Sequence, residues 1–226
     1  MFDRLELLNG KDNLNKIQST KVLIVGVGGV GGECAVSLVR SGIKDITVID
    51  FDKVDITNLN RQVVAFQSTI GKYKTDVLEG LIKDINPDAK VSKYNTFLDK
   101  DNIKDIFDKE SPNFVIDCCD SKETKKEIIK YCLNSNIEFI SSMGTGNKLD
   151  PSQLKITDIR KTNNDPLARI FRKWVKDEKI NKKITVLCSD EVPSHTGNVV
   201  GSTSFVPNSA GLLIASYVIR KIIGKY

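Results

Sequence analysis

The stretch KVLIVGVGGVGG, residues 21–32, constrains the fold of this chain more than any other. Lys21-Val22-Leu23-Ile24-Val25 is a short apolar run ended by Gly26, the pattern of a strand buried on both faces of a parallel sheet. Gly26, Gly28, Gly29, Gly31 and Gly32 follow, and helical periodicity then carries Val30, Cys34, Leu38 and Val39 on one side of residues 28–41. A strand that passes through glycines directly into a helix lets backbone approach a phosphate chain. The turn is sharp, and the first N–H groups of the helix point at the anion. Gly26, Gly28, Gly29 and Gly31 are therefore candidate phosphate contacts. The loop alone does not choose between a dinucleotide and ATP.

The rest of the first half repeats the strand–helix rhythm. Strands are predicted at 45–50, 90–94, 114–116 and 137–141. Helices are predicted at 72–85, stopped by Asn86-Pro87, at 99–107, capped by Asp99, and at 122–133, capped by Ser121. Alternation from residue 21 to about 142 implies an α/β fold, a Rossmann-like doubly wound, mostly parallel sheet with helices on both faces. The rhythm then changes to a mixed C-terminal extension. It has strands at 154–157 and 184–188, a basic helix at 165–179, a loop at 193–201 and a closing helix at 209–223. With no repeat and no low-complexity linker, residues 1–226 read as a single domain. Its nucleotide-binding core spans about 20–142, and its substrate-facing part about 143–226.

Composition excludes several classes. No apolar run approaches the roughly 18 residues of a membrane span, and Arg220 and Lys221 break the most apolar stretch, 210–223. The start Met1-Phe2-Asp3-Arg4 has no signal-peptide layout. The five cysteines, Cys34, Cys118, Cys119, Cys132 and Cys188, include no CxxC pair and sit mostly in apolar segments. They read as reduced, buried thiols of a cytoplasmic protein. His195, the one histidine, falls in a polar loop and reads as an exposed loop residue rather than a general base. The net charge of +5 is uneven: residues 158–183 hold nine Lys/Arg against four Asp/Glu, an excess equal to that of the whole chain. That segment is either a face for a polyanion or a solvated amphipathic helix.

Four further motifs carry chemistry. Asp50 ends the second strand, where a carboxylate accepts hydrogen bonds from ribose hydroxyls. Asp52, two residues on, suits either metal placement or a turn cap. Asn58-Leu59-Asn60-Arg61-Gln62 clusters polar groups about one arginine, and Gly71-Lys72-Tyr73-Lys74 puts cations where a helix begins. The helix dipole disfavours lysine there unless an anion is bound. Arg61 and Lys74 could hold a triphosphate and offset charge developing at its α-phosphorus. A nicotinamide dehydrogenase has no use for two such cations, so the pair favours ATP. In Asp117-Cys118-Cys119-Asp120-Ser121, Asp120 suits Mg²⁺ beside phosphates, with a helix N-cap as the alternative role. Asp117, earlier in the strand, reads as structural.

Taken in order, GVGGVGG, VIDFDKVDITNLNRQ, GKYK and DCCDS resemble the ThiF/MoeB/HesA adenylating superfamily, over nearly the whole chain. The resemblance implies an ATP-dependent, ligase-type enzyme that forms acyl-adenylates on carboxylates. It implies an ATP site at Gly29, Asp50, Asn58, Arg61, Lys74 and Asp120, with the other loop glycines, Asp52 and Ser121 beside it. It also implies a homodimer in which Arg4 reaches the ATP of the partner subunit.

The second half narrows the likeness. GTGNKLDP at 144–151, TDIRKT at 157–162, DPLA at 165–168 and SDEVP at 189–193 resemble the tRNA threonylcarbamoyladenosine dehydratase branch. The paired CxxC motifs usual in MoeB and ThiF are missing. Members of that branch use ATP to cyclise threonylcarbamoyladenosine at tRNA position 37, a reaction that needs no protein nucleophile, so Cys188 reads as a structural thiol. The basic segment then becomes the expected tRNA contact through Lys161, Arg169, Arg172 and Lys173. The competing readings are adenylation of a ubiquitin-like sulfur-carrier C-terminus, a nicotinamide oxidoreductase and a non-catalytic nucleotide-binding protein.

Overall fold

In the computed structural model, which describes residues 1–194 and 200–226, seven strands form one sheet in the order β3-β2-β1-β4-β5-β7-β6. The strands are β1 (Lys21–Val25), β2 (Asp45–Ile49), β3 (Lys90–Tyr94), β4 (Phe114–Asp117), β5 (Glu138–Ser142), β6 (Leu154–Asp158) and β7 (Thr185–Ser189). All neighbours pair in parallel except β6 and β7, which are antiparallel. The helices are α1 (Asp3–Asn9), α2 (Lys11–Ser19), α3 (Gly29–Arg40), α4 (Lys74–Ile85), α5 (Ile103–Glu110), α6 (Lys122–Ser135), α7 (Pro166–Asp177) and α8 (Phe205–Ile222).

The apolar run of β1 splits by residue parity. Val22 and Ile24 join a core on one face, packed by α3, α4 and α8. Leu23 and Val25 join a second core on the other, packed by α5, α6 and α7. A strand covered on both faces has no side left for polar residues, which is why it reads as a continuous apolar run. The sheet order reverses between β1 and β4. At such a switch point the loops leave in opposite directions, and a crevice opens beyond the carboxyl ends of the strands.

Boundaries moved where local turns compete with helix. Residues 99–102 close a turn first: Asp101 N–H donates to Asp99 Oδ1 at 2.9 Å, and Asp99 N–H to Asn102 Oδ1 at 3.0 Å. The helix predicted from Asp99 therefore begins at Ile103. Tyr73 bridges to Lys53, so the next helix starts at Lys74 rather than Lys72. The closing helix starts at Phe205, and Pro207 sits in its first turn, where no helical partner for its nitrogen is required. The pair α1–α2 has no counterpart in the sequence reading. No helix among the described residues is long and apolar enough to cross a membrane. His195 lies outside the described residues.

Candidate nucleotide site

A cleft of about 210 Å³ opens at the β1/β4 switch. Its wall comes from four strand ends: Val25, Gly26 and Gly28 after β1, Asp50 and Asp52 after β2, Thr96, Phe97 and Leu98 after β3, and residues 118–121 after β4. Close approach dictates glycine at two of these positions. Gly26 has φ +90°, and a Cβ there would lie 2.7 Å from the Cys118 carbonyl oxygen. A Cβ at Gly31 would overlap the Gly26 carbonyl oxygen. The turn thus folds flat against the end of β4 with its backbone bare.

Asp50 is buried and faces this turn. Val27 N–H donates to its Oδ2 at 2.6 Å, and Asp52 N–H to its Oδ1 at 2.8 Å. Burial raises its pKa above the usual aspartate range, against the two backbone donors and Lys74, which pull it down. Lys74, the first residue of α4, is buried, and its Nζ lies 2.8 Å from Asp52 Oδ2. Asp52 is thereby committed to an ion pair. Asp120 lines the cleft with an exposed carboxylate that makes no hydrogen bond or ion pair among the described residues. The capping role falls to Ser121, whose Oγ accepts from Thr124 N–H at 3.3 Å. No group of three or more His, Cys, Asp or Glu side chains that could hold a metal occurs among the described residues.

Gly26, Gly28, Asp50, Asp52, Lys74, Asp120 and Ser121 therefore meet in one cleft. The other predicted residues do not line it. Gly29 and Gly31 serve the first turn of α3, where a Cβ on Gly29 would press on Pro207 and the Arg61 carbonyl. Asn58 is a cap: its Oδ1 accepts Asp55 N–H at 3.1 Å, while Asp55 Oδ1 accepts Thr57 N–H at 2.8 Å. Arg61 turns onto its own loop, with Nη1 donating to Thr57 O at 2.8 Å and Asn60 Oδ1 at 2.9 Å. Arg4 is exposed on α1, a helix with no buried residue.

Gln62 is the main residue the sequence reading passed over. It lines the cleft, is 8% exposed, and its Oε1 is buried without a hydrogen-bond partner. Its place beside Arg61 in the polar cluster was the signal for it. Phe51 and Phe97, in edge-to-face contact at 5.2 Å, also line the cleft. Only strand order brings them together, so no local signal marks Phe97.

The thiols near the cleft are poor nucleophiles. Burial pushes Cys118 and Cys119 well up. Cys188 is pushed up to about 11 by burial and then by Asp165.

On the C-terminal side, Asp165 caps α7 by accepting Ala168 N–H at 3.0 Å. It lies against Gly144, just past β5, so α7 begins at the same sheet edge as the cleft. Lys161, Arg169 and Lys173 are exposed. Arg172 differs from them: its Nη1 donates to Thr162 O at 3.0 Å and Thr162 Oγ1 at 2.6 Å, tying α7 to the preceding turn. It also lines a groove of about 400 Å³ with Arg160, Lys176 and Lys179.

Comparison with known proteins agrees with this architecture. The model described as the ThiF family matches residues 2–225. The chain is 38% identical over 240 residues to the tRNA threonylcarbamoyladenosine dehydratase of Bacillus subtilis (strain 168), covering 98% of this chain and 94% of that protein. It is 32% identical over 245 residues to the dehydratase of the same name from Haemophilus influenzae, covering 99% and 94%. Among solved structures it is similar to E. coli tRNA N6-threonylcarbamoyladenosine dehydratase, TcdA, in complex with ATP. That TM-score is 0.93 at 32% identity, with 99% of this chain and 94% of that chain covered.

Proposed function

The chain belongs to the ThiF family, and on that premise we propose that it is an ATP-dependent tRNA threonylcarbamoyladenosine dehydratase, a ligase-type enzyme acting on tRNA in the cytoplasm. The observation that carries this reading is the meeting of a bare glycine turn, Asp50, Lys74 and Asp120 in one cleft at the sheet's switch point. The naming of relatives along the full chain supports the substrate.

Each residue then has a task. The backbone around Gly26 and Gly28 approaches the phosphates, and Asp50 accepts from the ribose. Gln62 lines the same cleft with its amide nitrogen beside Gly28, placed to donate to a bound group. Lys74 stabilises charge as the substrate carboxylate oxygen bonds to the α-phosphorus and pyrophosphate leaves. Arg61 joins it by exchanging the Thr57 carbonyl for the triphosphate. The free Asp120 carboxylate fits Mg²⁺, which keeps most of its waters and takes one or two carboxylates plus phosphate oxygens; the metal would neutralise phosphate charge. Ring closure is intramolecular and needs no enzyme nucleophile, in keeping with the raised pKa of the Cys118 and Cys119 thiols.

Lys161, Arg169 and Lys173 would bind the tRNA backbone without reading sequence. Two observations support a homodimer in which Arg4 serves the partner subunit. Arg4 does not reach the cleft of its own chain, and Leu7 and Leu8 of α1 are 87% and 76% exposed.

The test is mass spectrometry of nucleosides from tRNA incubated with enzyme, ATP and Mg²⁺. The expected result is loss of one water from threonylcarbamoyladenosine, with one AMP formed per event. ATP–pyrophosphate exchange driven by a carrier-protein C-terminus, and not by tRNA, would replace this reading with the sulfur-carrier one.

A further inference from the structure

Behind the β4 side of the cleft lies a charged pair that the proposed chemistry does not touch. The Lys125 side chain, on α6, is 1% exposed, and that of Asp117, the last residue of β4, is 0% exposed. Lys125 Nζ donates to Asp117 Oδ2 at 3.0 Å, to Ser142 O at 2.8 Å and to Ser141 Oγ at 3.4 Å. Ser141 Oγ donates to the same Asp117 oxygen at 2.6 Å. The other oxygen, Oδ1, accepts Cys119 N–H at 3.2 Å and the Cys119 thiol at 3.1 Å. Both carboxylate oxygens are thus committed, one to the α6–β5 side and the other to the turn that leads to Asp120.

A buried ion pair is a poor device for stability alone, since desolvation consumes most of the attraction and an apolar pair of similar shape often serves as well. Direction is what such a pair supplies. The Asp117–Cys119 bonds close the turn at residues 117–119, and the Cys118 carbonyl of that turn is the group packed against Gly26. Anchoring Asp117 from behind fixes the turn against the glycine loop and fixes where Asp120 begins.

We propose that Lys125 and Asp117 are positioning residues for the nucleotide site, holding the turn at residues 118–121 so that the Asp120 carboxylate presents to a phosphate-bound divalent cation. The assignment rests on the ATP-binding reading above and names a part of that site which touches neither nucleotide nor metal.

A double-mutant cycle on the full-length protein tests it. Isothermal titration gives the ATP dissociation constant with Mg²⁺ and with EDTA for wild type, Lys125→Met, Asp120→Asn and the double variant. The expected result is a tenfold or greater weakening of Mg²⁺·ATP binding by Lys125→Met, with less than threefold for ATP in EDTA. In the Asp120→Asn background the effect on Mg²⁺·ATP falls below threefold. Equal weakening with and without Mg²⁺, or the same weakening in the Asp120→Asn background, overturns the proposal and leaves the pair a structural one. If Lys125→Met does not fold, Lys125→Met/Asp117→Asn, which removes the charge imbalance, enters the cycle in its place under the same criteria. A wild-type protein that binds no ATP at all overturns both readings; one that binds ATP but lacks the coupling overturns this one alone.

Discussion

The nucleotide cleft and the basic helix α7 both gather charge at the same edge of the sheet, yet they hold it differently. In the cleft, Asp50 and Lys74 are buried and committed, Asp50 to two backbone N–H groups and Lys74 to Asp52. On α7 and the turn before it, Lys161, Arg169 and Lys173 are exposed to solvent. A buried charge acts at short range in low dielectric, so geometry decides its worth. An exposed charge acts through its contribution to a field that salt screens. The cleft should therefore respond to single substitutions steeply and without regard to salt, and the helix face gradually and with strong salt dependence.

The steepest test of that contrast is Lys74→Ala. Its expected effect is a fall of about 10²- to 10³-fold in tRNA-dependent AMP formation, as for removal of one preorganised transition-state donor. The thermal midpoint should change little, because Asp52 is half-exposed and can be rehydrated. A loss below about threefold would remove Lys74 from the phosphate clamp. Arg61→Ala comes next, at about 10²-fold. Arg61 is bonded to its own loop, so the variant separates two roles. A rate loss with unchanged stability supports exchange onto the triphosphate, whereas a stability loss of about 1 kcal/mol with normal rate marks a loop brace.

A smaller effect concerns pH. Asp50 has its folded pKa raised by burial, so on acidification the folded protein takes up this proton before the unfolded chain does. Protonation of Asp50 thus favours the fold at low pH while weakening it as an acceptor for the ribose. Nucleotide affinity measured by titration should fall at a higher pH than an ordinary aspartate would dictate, and Asp50→Asn should flatten that limb. An affinity insensitive to pH in wild type breaks the assignment. Smallest per residue are the helix-face changes. Lys161→Ala, Arg169→Ala and Lys173→Ala should each weaken tRNA binding modestly and lower the slope of log affinity against log salt by about 0.7 to 0.9. Arg172→Ala should instead lower stability by about 1 kcal/mol through its Thr162 bonds.

Part of the site was legible because it is local. The glycine turn, Asp50 and the Asp120-Ser121 pair each lie within a few residues of a strand end, where spacing and strand polarity together predict a ligand edge. The helix boundaries near Asp99 and Lys72 were less so, because a side-chain turn competes with helix at the first and a bridge from Tyr73 to Lys53 at the second. Gln62 and Asn58 sat in the same polar cluster, yet one lines the cleft and the other caps a turn. Residue type could not tell them apart.

The chain's order of apolar runs, glycines and caps was by itself enough to determine a doubly wound sheet and the edge on which a nucleotide would lie. Periodicity and turn chemistry are properties of neighbours along the chain. Tertiary structure alone decided that Lys74 meets Asp52 and that Lys125, on α6, reaches Asp117 on β4 and Ser141 on β5. Those pairings join residues on different elements, 8 to 22 positions apart, whose contact depends on strand order and on which side chains burial deprives of water. Their free energies are set by that desolvated geometry and not by any spacing in the sequence.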